Sequence, residues 1–121
     1  TGAPDLLRTV QDFAKHSPNS ILVAKGNAGI PKYVDGHILY DGTPELMAKY
    51  AVLAINSGAK IIGGCCGTKY EHLLSMRAAL ESQILGSVPS LEQVELDIGS
   101  FSSQIRKEVK KHNPKKRRRR I

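Results

Sequence analysis

The chain has 121 residues, of which 40% are hydrophobic, and a chain of this length can bury one modest core. A multidomain architecture within these residues is therefore excluded. The apolar stretches are far shorter than the roughly 20 residues that a membrane span needs, and the first residues lack the charged and apolar pattern of a signal peptide. The two cysteines are adjacent and cannot form the spaced disulfide framework of a small secreted protein. We therefore expect a cytoplasmic protein without a membrane partner.

Charge is concentrated at the C-terminal end of the sequence. Residues 1–105 contain 8 Lys and Arg against 10 Asp and Glu, whereas residues 106–121 contain 10 Lys and Arg against one Glu. The body therefore has a net charge of −2 and the tail one of +9, which together give the formal +7 of the chain. The overall charge describes the tail and not the body.

The first part of the chain predicts a helix, a strand and a hairpin. A helix is expected from about residue 4 to 16, because Pro4 fits a first helical position and apolar residues recur at helical spacing, namely Leu6, Leu7, Val10, Phe13 and Ala14. Residues 21–25 are apolar on both faces, which predicts a buried strand. Residues 26–42 contain four glycines and an Asp-Gly turn at 35–36, which predicts a small hairpin inside a long loop.

The second part predicts a helix, a buried strand over residues 59–66 and another helix. Thr43 can cap the first of these helices, Pro44 fits its first position, and Gly58 ends it. Its apolar face comprises Leu46, Met47, Tyr50, Ala51 and Ala54. Thr68 is expected to cap the last long helix, which runs to about residue 83 with an inner face of Leu73, Arg77, Leu80 and Ile84. Weaker signals follow at Leu91, Val94 and Leu96, and then at Phe101, Ile105 and Val109.

Helices and strands thus alternate along residues 4–83. Alternation with helices of this length predicts an α/β fold with parallel strands, either a doubly wound sheet or a (β/α) barrel. Both strands run into glycine-rich segments at the same, C-terminal, edge of the sheet. In such folds that edge is where ligands bind.

The most informative motif is Gly-Gly-Cys-Cys-Gly at residues 63–67. Two adjacent thiols between glycines at a strand end are accessible to an ion, and thiolates in a reducing compartment favour zinc. The alternatives are two small buried hydrophobic residues or a strained vicinal disulfide. Two ligands are too few for zinc, so a third must come from His37, His72, an acidic side chain or sequence that is missing. Both histidines are more often surface or capping residues than ligands.

Several segments together resemble the homocysteine S-methyltransferase family over residues 1–84, and within it the bacterial betaine-homocysteine methyltransferases, which have a similar arginine-rich end. The matching strings are Gly-Asn-Ala-Gly-Ile-Pro at 26–31, Tyr40, Thr-Pro-Glu-Leu-Met-Ala at 43–48, Ile-Ile-Gly-Gly-Cys-Cys-Gly-Thr at 61–68 and Glu71-His72. The family commonly has Thr-Thr-Pro-Glu-His where this chain has Thr-Lys-Tyr-Glu-His at residues 68–72. The start of the last helix is therefore altered, but the cysteine pair is intact.

The resemblance implies the C-terminal part of a (β/α)8 TIM barrel, from about helix 6 to helix 8, followed by a basic tail. It implies a Zn²⁺ cofactor held by three cysteines, of which Cys65 and Cys66 match the adjacent pair. The third lies in an Asn-Cys-Gly-x-Gly string, and Thr1-Gly2 fits the final two places of that string. We therefore expect the third cysteine just upstream of residue 1, and expect residues 1–84 to be part of a barrel domain, 85–105 a short extension and 106–121 a disordered tail.

The implied reaction is transfer of a methyl group from a small donor, betaine in the subfamily that the chain resembles, to the sulfur of homocysteine. A free thiol is mostly protonated at neutral pH, and binding to zinc stabilises its anionic form. Cys65 and Cys66 would then be ligands and not nucleophiles. Asn27 is a candidate polar contact for the substrate, with a turn-stabilising role as the alternative. Because one ligand and most strands are absent, we expect the chain by itself to be inactive, to fold poorly and to bind zinc weakly. An oligomer of identical chains is compatible with these features.

A non-enzymatic module that binds nucleic acid through residues 106–121 is the rival hypothesis, although no aromatic residue lies between the charges of that tail. If it is right, salt-dependent RNA or DNA binding should disappear when residues 106–121 are deleted, and Cys65→Ser or Cys66→Ser should leave function unchanged. We expect the opposite pattern. Filter binding over a salt series, with the cysteine variants alongside the deletion, distinguishes the two.

Overall fold

A computed structural model describes residues 1–82 and 86–102 of the chain. The elements in chain order are α1 (Ala3–His16), β1 (Leu22–Gly26), β2 (Pro31–Val34), β3 (His37–Tyr40), α2 (Pro44–Ser57), β4 (Ala59–Gly64), α3 (Tyr70–Ser82) and α4 (Leu91–Ile98). The predicted helix end at residue 83, the predicted contacts of Ile84, Ile105 and Val109, and the basic tail lie outside the described residues.

The parallel strand pairing predicted from the alternating pattern is confirmed. Strands β1 and β4 are hydrogen-bonded neighbours, and the chain between them contains the β2–β3 hairpin and α2. Gly2 forms an isolated parallel bridge with Asn27, on the edge of β1 that faces away from β4. The described residues thus form a mixed α/β fold with two two-stranded sheets, and those sheets do not close into a barrel.

The first two long helices form where the sequence predicts them. Thr43 Oγ1 accepts a hydrogen bond from the Leu46 amide at 3.2 Å, and Gly58 ends α2 with a φ of +113°, which a side chain would disfavour. Along α1 the buried residues are Ala3, Leu7 and Val10. Phe13, predicted to lie on that face, is instead 59% exposed.

The predicted hairpin is also confirmed. Strands β2 and β3 are antiparallel, with Pro31 opposite Tyr40 at the base and Val34 opposite His37 beside the turn. Asp35 and Gly36 both have positive φ, at 47° and 80°, which is the geometry of a type I′ turn.

The last long helix differs from its prediction in both its start and its buried face. Helix α3 begins at Tyr70, and Thr68 Oγ1 is buried without a hydrogen-bond partner among the described residues, so Thr68 does not cap it. Its buried residues are His72 and Met76, whereas Leu73 is 48% exposed and the Arg77 side chain 77% exposed. The predicted inner face is wrong at Leu73 and Arg77 and confirmed at Leu80, which packs partly buried against the core, because the side that meets α2 runs through His72 and Met76. The periodicity of apolar residues predicts that a helix has a buried face, but it does not distinguish between faces that are shifted by one residue.

The C-terminal segment packs back onto the first two helices. Helix α4 buries Val94 and Ile98 and contacts both α1 and α2. The segment then reaches the first turn of α1, where the Ser102 amide donates to both carboxylate oxygens of Asp5 at 3.2 Å. The weak amphipathic signal at residues 91–96 therefore marks a real helix.

None of the described helices is long and apolar enough to cross a membrane.

The predicted strands are covered on one face only, which corrects the expectation that both are fully buried. On the helix side, Ala24 and Ala59 are almost completely buried. On the other side, Val23 and its partner Ile61 are 53% and 55% exposed. The reason is that the described residues supply helices to one side of the sheet, whereas parallel strands are normally covered on both.

Tyr50 lies at the centre of the core, fully buried and against Gly26 at the end of β1. Burial raises the pKa of its hydroxyl to about 12, and the nearby Gly26 backbone opposes that shift only partly. Its oxygen meets no hydrogen-bond partner of good geometry among the described residues. The ring therefore stabilises the core as an apolar group.

We expect Tyr50 to make stability fall between about pH 10 and 12. The folded pKa of about 12 lies above the ordinary value of 10.0, so this stability is fully present below pH 10 and is lost as the pH rises through 12. The loss should be roughly 2 to 3 kcal/mol, because one pKa unit corresponds to about 1.4 kcal/mol. Urea unfolding from pH 9 to 12 measures it, and Tyr50→Phe should remove this part of the loss. Parallel pH curves for the two proteins would contradict the assignment.

Candidate metal centre

The two cysteines lie in a tight turn just after β4, which ends at Gly64, two residues before the end of the predicted strand over 59–66. The amide of Thr68 donates to the carbonyl of Cys65 at 3.1 Å, which closes a four-residue turn. Its third residue, Gly67, has a φ of +78°, the value that a type II turn requires there. Both cysteines are free and exposed. The alternative of two small buried hydrophobic residues is therefore wrong, because the turn carries both side chains out of the core.

The spacing of the two sulfur atoms fits a shared metal ion. Cys65 Sγ and Cys66 Sγ lie 3.8 Å apart. A tetrahedral zinc ion with bonds of about 2.3 Å places two thiolate sulfurs about 3.8 Å from each other. A disulfide would need about 2.05 Å. The pair therefore has the separation of two corners of a zinc site, and its role as metal ligands stays a prediction.

Backbone hydrogen bonds join the cysteine turn to the end of β1. The Cys65 amide donates to Gly26 O at 2.8 Å, and the Ala28 amide donates to Cys66 O at 2.9 Å. On the opposite edge of β1, the Asn27 amide donates to Thr1 O at 3.0 Å. Three chain segments thus converge at one edge, with β1 in the middle.

The Cys65 thiol sits in surroundings that favour its anionic form. Hydrogen bonds from the side chain and the backbone of Cys66 lower the pKa of Cys65, desolvation opposes this shift, and the positive charge of Lys25 assists it. Lys25 runs along the exposed face of the sheet beside Gly63.

Tyr40 contacts the cysteine turn from the base of the hairpin. Its ring lies directly against the Cα of Gly67, where any side chain would overlap it. Desolvation and a hydrogen bond with Cys66 both raise the pKa of the Tyr40 hydroxyl, and the charge of the two thiols adds to the shift. In the sequence, Tyr40 is part of the family resemblance but has no predicted role. Its hydrogen bond is with Cys66, 26 residues further along the chain, and local sequence patterns do not indicate such a contact.

None of the third ligands considered from the sequence joins the pair. His72 is buried, with both ring nitrogens hydrogen-bonded to backbone groups. His37 lies at the turn end of the hairpin, about 10 Å along the strand from Tyr40. Asp41 binds the Ile30 amide at 2.7 Å and Lys32 at 3.3 Å, which lowers its pKa. Within residues 1–82 and 86–102, no group of three His, Cys, Asp or Glu side chains could hold a metal ion.

Asn27 lines a cleft of about 660 Å³ beside this edge. The cleft lies between the first turn of α1, the start of the hairpin and residues 98–102. The backbone of Asn27, and not its side chain, makes the local turn, since the Gly29 amide donates to Asn27 O at 2.9 Å. Its side-chain amide makes no hydrogen bond with the described residues, which leaves the predicted substrate contact open as a proposal.

Comparison with known proteins gives the family of this chain. The family profile described as Homocysteine S-methyltransferase matches residues 1–80. Methionine synthase from Mycobacterium leprae (strain TN) is 29% identical over 94 residues, a match that covers 77% of this chain and 8% of that protein. The chain belongs to the homocysteine S-methyltransferase family. It spans a small part of the length of the relative that it matches.

We expect Gly67→Ala to disturb the cysteine turn and Gly63→Ala to leave it intact. Alanine at 67 is strained at a φ of +78° and would also displace the Tyr40 ring, so unfolding should become easier by about 1 to 2 kcal/mol or more. At Gly63 a methyl group would meet Lys25 Cγ at an ordinary 3.6 Å. Urea unfolding and the rate of thiol alkylation measure the difference. Equal effects of the two substitutions would contradict the role given to Gly67.

Proposed function

We propose that this chain supplies two of the three zinc-binding cysteines of a homocysteine S-methyltransferase, as the C-terminal part of its (β/α)8 barrel. The observation that carries the proposal is the 3.8 Å separation of the Cys65 and Cys66 sulfurs at the C-terminal edge of parallel strands. Membership of the family gives the reaction class, and the geometry agrees with it.

The edge of β1 beyond the cysteine pair supports a third ligand from the preceding chain. At that edge the Asn27 amide donates a hydrogen bond to Thr1 O, on the side of β1 away from β4. A strand that ends at Thr1 would therefore be a third parallel strand, in the order preceding strand, β1, β4. A cysteine just upstream of Thr1 would then reach the same edge as Cys65 and Cys66.

The uncovered sheet face supports a larger barrel around these strands. Val23 and Ile61 are apolar and half exposed on the face opposite the helices. In a (β/α)8 barrel this face is the packed interior, and the helices lie outside. The remaining strands of such a barrel would bury both side chains and pair the exposed edges.

The chemistry proposed for the whole protein is displacement at carbon by sulfur. The sulfur of homocysteine attacks the donor methyl group, the bond from that methyl to the donor nitrogen breaks, and its electron pair leaves with the nitrogen. A bound zinc ion would supply the charge that keeps the substrate thiol in its anionic form. Cys65 and Cys66 would hold that ion, and Lys25 places a positive charge near the Cys65 thiol.

The methyl donor and the substrate contacts are further proposals. The resemblance of residues 1–84 favours betaine as the donor, a small quaternary ammonium compound. Asn27 is proposed to contact the substrate, because its amide lines the adjacent cleft without a partner among the described residues.

The third-ligand proposal can be tested by extending the chain. Adding Asn-Cys-Gly before Thr1 should tighten zinc binding about 100-fold relative to an Asn-Ser-Gly extension. Structural zinc contributes about 10 to 16 kcal/mol over four ligands, or roughly 3 kcal/mol for each. Competition with a chromophoric chelator measures the affinity. Equal affinities of the two extended chains, or tight 1:1 zinc in the chain without an extension, would overturn the proposal.

The substrate class can be tested on the same extended chain loaded with Co²⁺. Homocysteine should change the cobalt absorption spectrum, because its thiol can fill the fourth position of a three-cysteine site. Methionine is the matched control, since it has the same amino-acid part but a methylated sulfur. A spectrum that responds equally to both would contradict recognition through the thiol.

A further inference from the structure

His72 is a buried polar side chain that the proposed chemistry does not use. It lies at the third position of α3 and is 8% exposed. Its Nδ1 accepts a hydrogen bond from the Lys69 amide at 3.1 Å. The proton of a neutral imidazole must then be on Nε2, which lies 2.7 Å from Gly42 O and donates to it. One ring therefore joins the start of α3 to the loop before α2.

These two bonds complete a closed circuit of hydrogen bonds that contains the cysteine turn. The Gly42 amide donates to Ala28 O at 2.8 Å, and the Ala28 amide donates to Cys66 O at 2.9 Å. From Cys66 the circuit thus runs to Ala28, to Gly42 and to His72, and returns through Lys69, three residues after Cys66. The circuit contains one side chain, and that side chain is His72.

The packing around the circuit leaves little room for its members to shift. A Cβ at Gly42 would overlap the backbone of Ala28, so these two segments lie in direct contact. Because Gly42 and Ala28 also belong to the ends of the hairpin loop, movement of His72 would be passed to Cys66 O through three short hydrogen bonds. Hydrogen bonds in a chain of this kind reinforce one another.

We propose that His72 is a positioning residue for Cys65 and Cys66, which holds the cysteine turn against the end of β1 through Gly42 and Ala28. This inference rests on the proposed function, because it concerns the readiness of the two thiols to share a metal ion. Residues that orient metal ligands from behind typically contribute 10- to 100-fold to metal affinity.

The test uses His72→Gln and His72→Glu, which have the same shape. Glutamine can accept from Lys69 with its oxygen and donate to Gly42 with its nitrogen, as the imidazole does. Glutamate can accept from Lys69, as in a capping box, but places a second oxygen against Gly42 O. The pair therefore differs in the bond to Gly42 and in one negative charge.

Co²⁺ is the probe, and the thiolate-to-cobalt absorption band of the chain extended by Asn-Cys-Gly before Thr1 reports binding to Cys65 and Cys66. We expect His72→Glu to weaken Co²⁺ binding about tenfold and His72→Gln to restore it to within about twofold of the unchanged chain. The added negative charge of glutamate would by itself strengthen cation binding, so a loss has to come from the turn. Amide hydrogen exchange at Ala28 and Gly42 should become faster in His72→Glu only.

Equal Co²⁺ affinity of the two variants would overturn the role of His72 while leaving the metal centre intact. Absence of the thiolate band in the extended chain with His72 unchanged would instead overturn the metal centre, and the inference with it. If His72→Glu fails to fold, His72→Asn replaces it, because asparagine is neutral, can accept from Lys69 and is too short to reach Gly42. Tenfold weaker binding by His72→Asn supports the inference, and binding equal to that of His72→Gln overturns it.

Discussion

The site depends on the backbone hydrogen bonds that tie the cysteine turn to the end of β1. Gly26 O receives the Cys65 amide, and Cys66 O receives the Ala28 amide, each at less than 3 Å. These bonds continue the parallel pairing of β1 and β4 past the last residue of β4. The backbone of both cysteines is thereby fixed, while their side chains remain exposed. A metal site needs this combination, since ligands that are already in place lose less conformational entropy on binding.

The residues around the turn serve the same constraint in different ways. Gly67 supplies the backbone conformation of the turn and the space for the Tyr40 ring. Tyr40 adds a hydroxyl near the Cys66 thiol. His72 ties the far end of the turn to the loop before α2. Gly67 belongs to the turn, Tyr40 to the hairpin and His72 to the last long helix. These three segments therefore meet at one edge of the sheet.

In the described residues, helices bury one face of the β1–β4 sheet and leave the other face exposed. Met47 and Tyr50 of α2 are completely buried there. Val23 and Ile61 remain half exposed on the opposite face, and the strand edges of β1 and β4 are short. This asymmetry suits a segment that packs against further strands of a barrel. The uncovered face also adjoins the sheet edge that carries the two thiols. Strands that cover this face would therefore stabilise the fold next to the candidate metal centre.

The sequence by itself determined the features that depend on neighbouring residues. Thr43 and Gly58 set the ends of α2, and the Asp-Gly pair set the hairpin turn, because caps and turns are decided within a few residues. The glycines around Cys65 and Cys66 predicted accessible thiols at a strand end, but not the turn that carries them. The tertiary structure alone decided which side of α3 is buried, the hydrogen bond of His72 to Gly42 O and the contact of Tyr40 with Gly67. Each of these joins segments about 26 to 35 residues apart, and packing against α2 and the hairpin selects them from alternatives that the sequence pattern leaves equal.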